Sequence, residues 1–290
     1  MGMQNVGLPL ILLSATTGLS LAQSPSTGTI TIDGKKIPIT NACAFEEIDN
    51  FDPQKVRLFA IFWTDGKPLE GTSRNAASEL EVRRKTTQAP YLIAELQLPS
   101  LRFIGGTLGH GEQPQFFSFS GGDPWLEFKP SAGGYQKPQL SGRFYTTHTF
   151  QLGLMAPLDI DITVSGLPVE PDTPLSNEIK GTAAAQHPAA KAALRYLTAM
   201  SKGDVATMRS LFLEADRPAF DAAFAGDQAK EMLAVMAQMA NANLAMPIYS
   251  VATKGNVTVV KLRKATDTST ENTAFTLRLE KGHYYIAEQN

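Results

Sequence analysis

The sequence predicts a mainly β fold plus an α+β part: an antiparallel β-sandwich or barrel comes first, and helices packed on a curved four-stranded antiparallel sheet follow. Short apolar segments separated by Gly, Pro and Asp recur through the first part of the chain, which is typical of antiparallel sheets. Nearer the carboxyl end, apolar residues first repeat at helical spacing and then alternate with polar residues. This order predicts helices followed by strands.

The length and charge of the chain limit its organisation. Its 290 residues suffice for about two domains. Pro168, Pro171 and Pro174 lie close together, and we interpret residues 167–187 as a linker between a β domain, 25–166, and an α+β domain, 188–290. The formal net charge of −2 gives no bulk attraction to polyanions, so we expect no nucleic-acid partner.

Residues 1–22 have the pattern of a signal peptide. The apolar stretch from Val6 to Ala15 is too short to span a membrane, and the small residues Ser20 and Ala22 follow at the spacing of a cleavage site. The sequence therefore predicts export to the periplasm or the extracellular space and no transmembrane span. A buried apolar strand or helix at the amino terminus is the alternative.

The β domain is expected to begin with a hairpin. Thr29–Ile32 and Lys36–Thr40 flank Asp33-Gly34, a pair that suits a two-residue turn with positive φ. Leu58–Trp63 is an uninterrupted apolar run, which predicts a strand covered on both faces. Further strands are predicted at Tyr91–Leu98, Leu101–Ile104, Gln115–Ser120, Trp125–Lys129, Leu140–Thr146 and Leu158–Val164, and a short helix at Asn75–Lys85.

The α+β domain is expected to begin with helices. One helical face carries the apolar residues Ala189, Ala193, Tyr196, Leu197 and Met200. Asp204 can cap a second helix, Val205–Phe212, and a third is predicted from Asp227. The period then changes, and four strands are predicted at Ile248–Thr253, Asn256–Arg263, Thr273–Glu280 and His283–Glu288.

The α+β domain resembles a known family. The stretch Ala189–Phe212, AAKAALRYLTAMSKGDVATMRSLF, and the ending Lys281–Ile286, KGHYYI, are similar to the cone-shaped domains related to nuclear transport factor 2 and their cystatin-like relatives in exported bacterial proteins. In these domains a long helix ends in Gly-Asp and a short helix follows. The resemblance implies a concave pocket between helix and sheet. It does not by itself imply an enzyme, because the family mixes isomerases and dehydratases with binding modules and assembly domains. The β domain resembles exported bacterial proteins of no assigned activity.

The pocket that the resemblance implies would be lined by Tyr196, Met200, Phe275, Leu277 and Tyr284. These side chains include phenols but no carboxylate or histidine, so they do not supply the acid-base pair of an enzyme. We therefore expect a non-catalytic binding or interaction module for a small apolar ligand or a protein partner.

Two alternatives stay open at this point. The first is an isomerase or lyase in which Tyr196 acts as the acid and Arg278 stabilises charge. The second is a structural assembly protein that forms a homodimer through the exposed face of its carboxyl-terminal sheet.

The sequence offers no cofactor or metal site. Its histidines, His110, His148, His187 and His283, lie far apart and have no ligand spacing. The acidic residues from Glu46 to Asp52 lack the spacing of a calcium loop, and we interpret this run as a solvated loop. The lone Cys43 cannot form an intramolecular disulfide, and its small and apolar neighbours favour a buried thiol.

Overall fold

The computed structural model describes residues 26–70, 72–109, 116–120, 125–150, 156–225, 229–265 and 269–289. The chain is mainly β with additional helices, as the sequence predicts. The predicted signal peptide, 1–22, and His110 lie outside the described residues. Within the described ranges, no helix combines the length and the apolarity needed to cross a membrane.

Strands dominate the chain up to Lys180 and again after Ile248, and most helices lie between these positions. The strands are β1 (Ser26–Ile32), β2 (Lys35–Pro38), β3 (Asn41–Ile48), β4 (Val56–Trp63), β5 (Tyr91–Leu98), β6 (Arg102–Gly109), β7 (Phe116–Ser120), β8 (Leu126–Gln136), β9 (Gln139–Thr146), β10 (Leu158–Glu170), β11 (Ser176–Lys180), β12 (Ile248–Lys254), β13 (Val257–Ala265), β14 (Thr270–Glu280) and β15 (His283–Gln289). The helices are α1 (Ala76–Thr87), α2 (Gly181–Gln186), α3 (Pro188–Ser201), α4 (Val205–Ser210), α5 (Arg217–Ala223) and α6 (Ala229–Leu244).

The strands of the first part of the chain form a ten-stranded sheet. Its order is β2-β1-β10-β3-β4-β5-β6-β7, and β9 pairs with both β10 and β8. Asp33 and Gly34, with φ of 50° and 74°, form the two-residue turn between the antiparallel strands β1 and β2. The predicted hairpin is therefore confirmed.

Strand β3 is absent from the sequence prediction. Residues from Cys43 to Glu46 are buried in succession, so no alternation of apolar and polar residues marks this strand. The interpretation of the acidic run as a solvated loop is wrong at its start, because Glu46 and Glu47 belong to β3 and Glu46 is buried. Cys43 is buried, as predicted.

The second sheet has five antiparallel strands in the order β11-β12-β13-β14-β15. The prediction of four strands missed β11, which lies within the segment interpreted as a linker. All five residues of β11 are exposed, so no apolar pattern signals it. The predicted helices are present as α3, α4 and α6, and the Asp204 side chain accepts a hydrogen bond from Thr207 N over 2.9 Å at the start of α4.

The chain divides into two compact units. Unit 1 comprises Met1–Ala44, Ala60–Ala94 and Gly105–Val169, and unit 2 comprises Phe45–Phe59, Glu95–Ile104 and Glu170–Asn290. Strands β3, β4, β5 and β6 each supply residues to both units. Unit 2 therefore contains two short segments that precede the predicted linker by many residues.

The core of unit 1 is built from aromatic and branched side chains. The ring of Phe144 contacts those of Phe62 and Phe128, with centroids 5.2 and 4.5 Å apart. Gly142 leaves room for this packing, because a Cβ there would lie 2.4 Å from Phe128 Cζ. Trp125 is fully buried and stacks on Phe150.

The core of unit 2 lies between the helices and one face of the five-stranded sheet. Helix α3 buries Ala193, Tyr196, Leu197 and Met200, the face that its periodicity predicts. The sheet contributes Val260, Leu262, Phe275, Leu277 and Ile286 to the same cluster. These side chains pack against the helices and bury this face of the sheet.

Candidate functional site

The side chains predicted to line a pocket belong to the core of unit 2. Tyr196, Met200, Phe275 and Leu277 are buried, and Tyr284 packs against them while partly exposed. The ring of Tyr196 contacts that of Phe275, with centroids 6.3 Å apart. Burial raises the pKa of the Tyr196 hydroxyl. The structure thus brings all five residues together, but in a packed cluster.

The residues of the enzymatic alternative do not share one environment. Tyr196 is only 6% exposed, whereas Arg278 is exposed on β14. Of the histidines considered, His187 accepts a hydrogen bond from Ala189 N at the start of α3, and His283 is exposed. No three His, Cys, Asp or Glu residues in the described part of the chain are grouped to hold a metal ion.

The other face of the five-stranded sheet carries cations. On β13, Val260 and Leu262 belong to the helix-covered core, and the alternating residues Lys261 and Arg263 project from the opposite face. On β14 the same alternation places Ala274 on the cation-bearing face. This face was not considered in the sequence prediction of a pocket.

An open cleft of about 820 Å³ lies on this face, within unit 2. One side is formed by residues 47–52 with Lys55 and Arg57, from the end of β3, the following turn and the start of β4. The other side is formed by Arg263, Ala265 and alternate residues of β14 from Thr270 to Ala274. The volume is in the range of small-molecule sites.

The turn after β3 is held by its own carboxylates. Asp49 accepts hydrogen bonds from Phe51 N and Asp52 N, over 2.7 and 2.8 Å, which is the geometry of an Asx turn. Asp52 lies 3.5 Å from the ammonium of Lys55. The side-chain oxygen of Asn50 is buried and has no hydrogen-bond partner among the described residues. This turn therefore contains one polar atom whose hydrogen-bonding capacity is unused.

A buried ion pair fixes the end of β3. The Asp172 carboxylate accepts a hydrogen bond from Ile48 N over 2.8 Å and lies 2.7 Å from the Lys254 ammonium. The Asp172 side chain is only 4% exposed. Because both charges are largely removed from water, breaking this contact would leave an uncompensated charge. The edge of the cleft is thus anchored from β12.

Lys261 is buried behind the cleft. Its ammonium donates a hydrogen bond to the carbonyl oxygen of Asn50 over 3.0 Å and pairs with Glu178 Oε1 at 2.5 Å. Desolvation alone would raise the pKa of Glu178, but hydrogen bonds from Lys261, Ser250 and Lys180 lower that pKa to about 2. The Lys261 ammonium is therefore already paired within the protein, with the Asn50 carbonyl oxygen and the Glu178 carboxylate.

Arg263 contacts two aromatic rings. Its guanidinium carbon lies 4.3 Å from the ring centroid of Tyr249 and 5.1 Å from that of Phe51, which is cation–π distance. Its Nε donates a hydrogen bond to Asn272 Oδ1 over 3.0 Å. No carboxylate in the described ranges lies within ion-pair distance of Arg263, although the residue is half-buried and lines the cleft.

At the opposite wall, Arg57 lies between two carboxylates. It pairs with Glu47 through a short contact and with Glu95 at 3.4 Å. Burial raises the pKa of Glu95, Arg57 opposes that rise, and the nearby Glu47 adds to it. Arg57 is therefore paired, as Lys55 is with Asp52, and Arg263 is the cation among the described lining residues that has no carboxylate partner.

The sequence contained part of the signal for this site. Lys261 and Arg263 stand two residues apart in a strand whose intervening positions are apolar, so both cations must share one face. Their partners Asn50 and Phe51 lie more than two hundred residues earlier, as the 211-residue separation of Asn50 and Lys261 shows. No local pattern connects the two segments.

Comparisons with protein families, with curated proteins and with solved structures found no match for this chain.

Proposed function

We propose that the chain is an exported, non-catalytic binding protein and that the cleft beside Arg263 is its ligand site. The observation that carries this proposal is the half-buried guanidinium of Arg263, which lines the cleft without a carboxylate partner in the described part of the chain. A cation partly withdrawn from water is unfavourable without a counter-charge. A ligand that supplies the counter-charge would remove this unfavourable contribution when it binds.

The ligand is proposed to be small and to have both polar and apolar parts. The cleft is lined by charged groups as well as by Ile48, Phe51, Ala265 and Ala274. A wholly apolar ligand would leave the charged groups desolvated and unpaired, which disfavours the apolar ligand expected from the sequence.

The carboxylates of the cleft support binding rather than proton transfer. Asp49 is occupied by backbone amides, Asp52 lies beside Lys55, and Glu47 pairs with Arg57. A general base needs a carboxylate that is free to accept a substrate proton. We therefore propose that this site binds its ligand without catalysing a reaction.

The fold and location complete the proposal. We propose a cone-type α+β domain related to nuclear transport factor 2, supported by the packing of α3 on one face of an antiparallel sheet. We propose a sandwich or barrel for the ten-stranded sheet, supported by the pairing of the long β10 with β1, β3 and β9. Export rests on the residue pattern of positions 1–22.

Native mass spectrometry on protein taken from the exported fraction without dialysis tests the proposal. We expect a retained small molecule, or its rebinding when the purified protein is incubated with a low-molecular-weight extract of that fraction. Thr270→Trp places a bulky ring at the cleft and should abolish retention, whereas Glu280→Trp, at an exposed position near the other end of β14, should not.

Two results would overturn the proposal. One is a protein that carries and rebinds nothing from its own compartment. The other is a ligand that Thr270→Trp retains as well as the wild type does. A substrate that the purified protein turns over would instead support the enzymatic alternative and contradict the non-catalytic part.

A further inference from the structure

We infer that the ligand of this cleft carries a carboxylate, which the two Nη groups of Arg263 bind side by side. The inference rests on the proposed function, because it names the chemical class of ligand for the same cleft. It follows from the way Arg263 is oriented, from the balance of charge in the lining and from the apolar surface beside the guanidinium.

The orientation of Arg263 is fixed by its neighbours. The rings of Tyr249 and Phe51 lie within cation–π distance of the guanidinium, and Asn272 Oδ1 accepts the hydrogen bond from Nε. The Nη groups have no protein acceptor in the described part of the chain. A planar guanidinium with two adjacent free N–H groups matches the two oxygens of a carboxylate.

The charge of the lining favours a monoanion. The described lining residues comprise the cations Lys55, Arg57 and Arg263 and the carboxylates Glu47, Asp49 and Asp52. These charges cancel, and Arg263 alone among the cations has no carboxylate beside it. A dianionic phosphate would bring two charges towards one free cation and three carboxylates, so repulsion would offset its gain.

Lys261 does not supply a second anion-binding group. Its ammonium is already hydrogen-bonded to Asn50 O and paired with Glu178. A ligand would have to break that buried pair to use the charge, which is unfavourable. The proposed anion site therefore consists of the Arg263 guanidinium, whose two Nη groups are the donors.

The surface beside the guanidinium suits a small apolar body. Phe51 contributes a ring to the lining, and Ala265 and Ala274 have short side chains that leave room. A carboxylate joined to an aromatic or aliphatic group could place its charge on Arg263 and its apolar part against these residues. A free organic acid and the carboxyl terminus of a peptide share this chemistry.

Binding of defined probes tests the inference. Phenylacetate and a tetrapeptide ending in a free Phe carboxylate represent the two sources, and phenylacetamide and the amidated tetrapeptide are their uncharged counterparts. Ligand-observed NMR and calorimetry on the full chain give the dissociation constants. We expect at least one carboxylate to bind at least about tenfold more tightly than its amide, and inorganic phosphate not to compete.

Variants assign the carboxylate to Arg263. Arg263→Gln should weaken binding about tenfold to a hundredfold, and Arg263→Lys should recover only part of it, because lysine keeps the charge but loses the planar pair of donors. Asn272→Ala should weaken binding less than Arg263→Gln does, because it removes only the acceptor that orients Arg263 Nε. Lys264→Gln removes an exposed cation from β13, the strand that carries Arg263, and should leave binding unchanged. Melting temperatures of all variants show whether each is folded.

The outcomes separate this inference from the proposed function. If the amides bind as tightly as the acids, or Arg263→Gln binds like the wild type, the inference is wrong. If the natural ligand from the extract binds in the cleft but is uncharged or insensitive to Arg263→Gln, the inference fails while the proposed function stands. If the chain binds neither probes nor extract, both fail.

Discussion

Lys261 donates a hydrogen bond from Nζ to the backbone carbonyl of Asn50 over 3.0 Å, across 211 residues of sequence. The same ammonium pairs with Glu178 of β11 at 2.5 Å. Three segments of unit 2, namely β13, β11 and the turn after β3, therefore meet at one buried cation. This arrangement positions the turn that forms one wall of the cleft.

Replacing this cation should destabilise the protein. Lys261→Met keeps an apolar stem of similar length but leaves the Asn50 carbonyl without its donor, so we expect the free energy of unfolding to fall by about 2 kcal/mol. Urea denaturation measures the change. Lys264→Met, at an exposed position on the same strand, should change the free energy by less than about 0.5 kcal/mol. Equal losses for both variants would contradict this role.

The Glu178 carboxylate should make stability depend on acid pH. Its pKa of about 2 in the folded state lies below its ordinary value of 4.5, so its contribution is present above pH 4.5 and is lost as the pH falls towards 2. Glu178→Gln should lower the unfolding free energy near neutral pH and should approach the wild type as acid is added. The exposed Glu280→Gln serves as the control. A constant difference between Glu178→Gln and wild type at every pH would show that the carboxylate is not the cause.

Gly28 of β1 should not tolerate a side chain. Its φ is 143°, and a Cβ would lie 2.1 Å from the backbone oxygen of Asp161 on the paired strand β10. We expect Gly28→Ala to cost about 3 kcal/mol by thermal unfolding, since either the backbone or the pairing must shift. Gly34→Ala is the matched control: φ is also positive, 74°, but a Cβ meets nothing within 4 Å. That variant should cost only about 1 kcal/mol; similar values for both would rule out the steric explanation.

Phe275 should behave as a core residue. It is fully buried on the helical face of the sheet, so Phe275→Ala should cost about 3–5 kcal/mol in the free energy of unfolding. Leu279→Ala, on the same strand with 54% of the residue exposed, should cost far less. A small loss of stability at Phe275 together with lost ligand retention would instead support the pocket that the family resemblance implies.

The sequence predicted elements whose signals are local. The Asp33-Gly34 turn, the apolar face of α3 and the cap at Asp204 each depend on residues within one turn or one helix. Strands β3 and β11 were missed for opposite reasons, because four successive residues of β3 are buried and all of β11 is exposed. Alternation, the signal used for half-buried strands, is absent from both.

The site was harder to predict than the fold. Phe275 and Leu277, two of the residues predicted to line a pocket, lie together in the buried cluster between the helices and the five-stranded sheet. Phe51 and Arg263 come together only because the end of β3 and the following turn lie against β13. Such a contact between distant segments has no signature in either segment alone.

The sharing of β3, β4, β5 and β6 between the two compact units restricts how this gene can be cut and recombined. A fragment that begins at Glu170 would keep Arg263 and Tyr249 but would lose Asn50 and Phe51. Moving residues 170–290 into another protein would therefore transfer the sheet without one wall of the cleft. Only an exchange that also carries residues 45–59 would transfer the whole cleft.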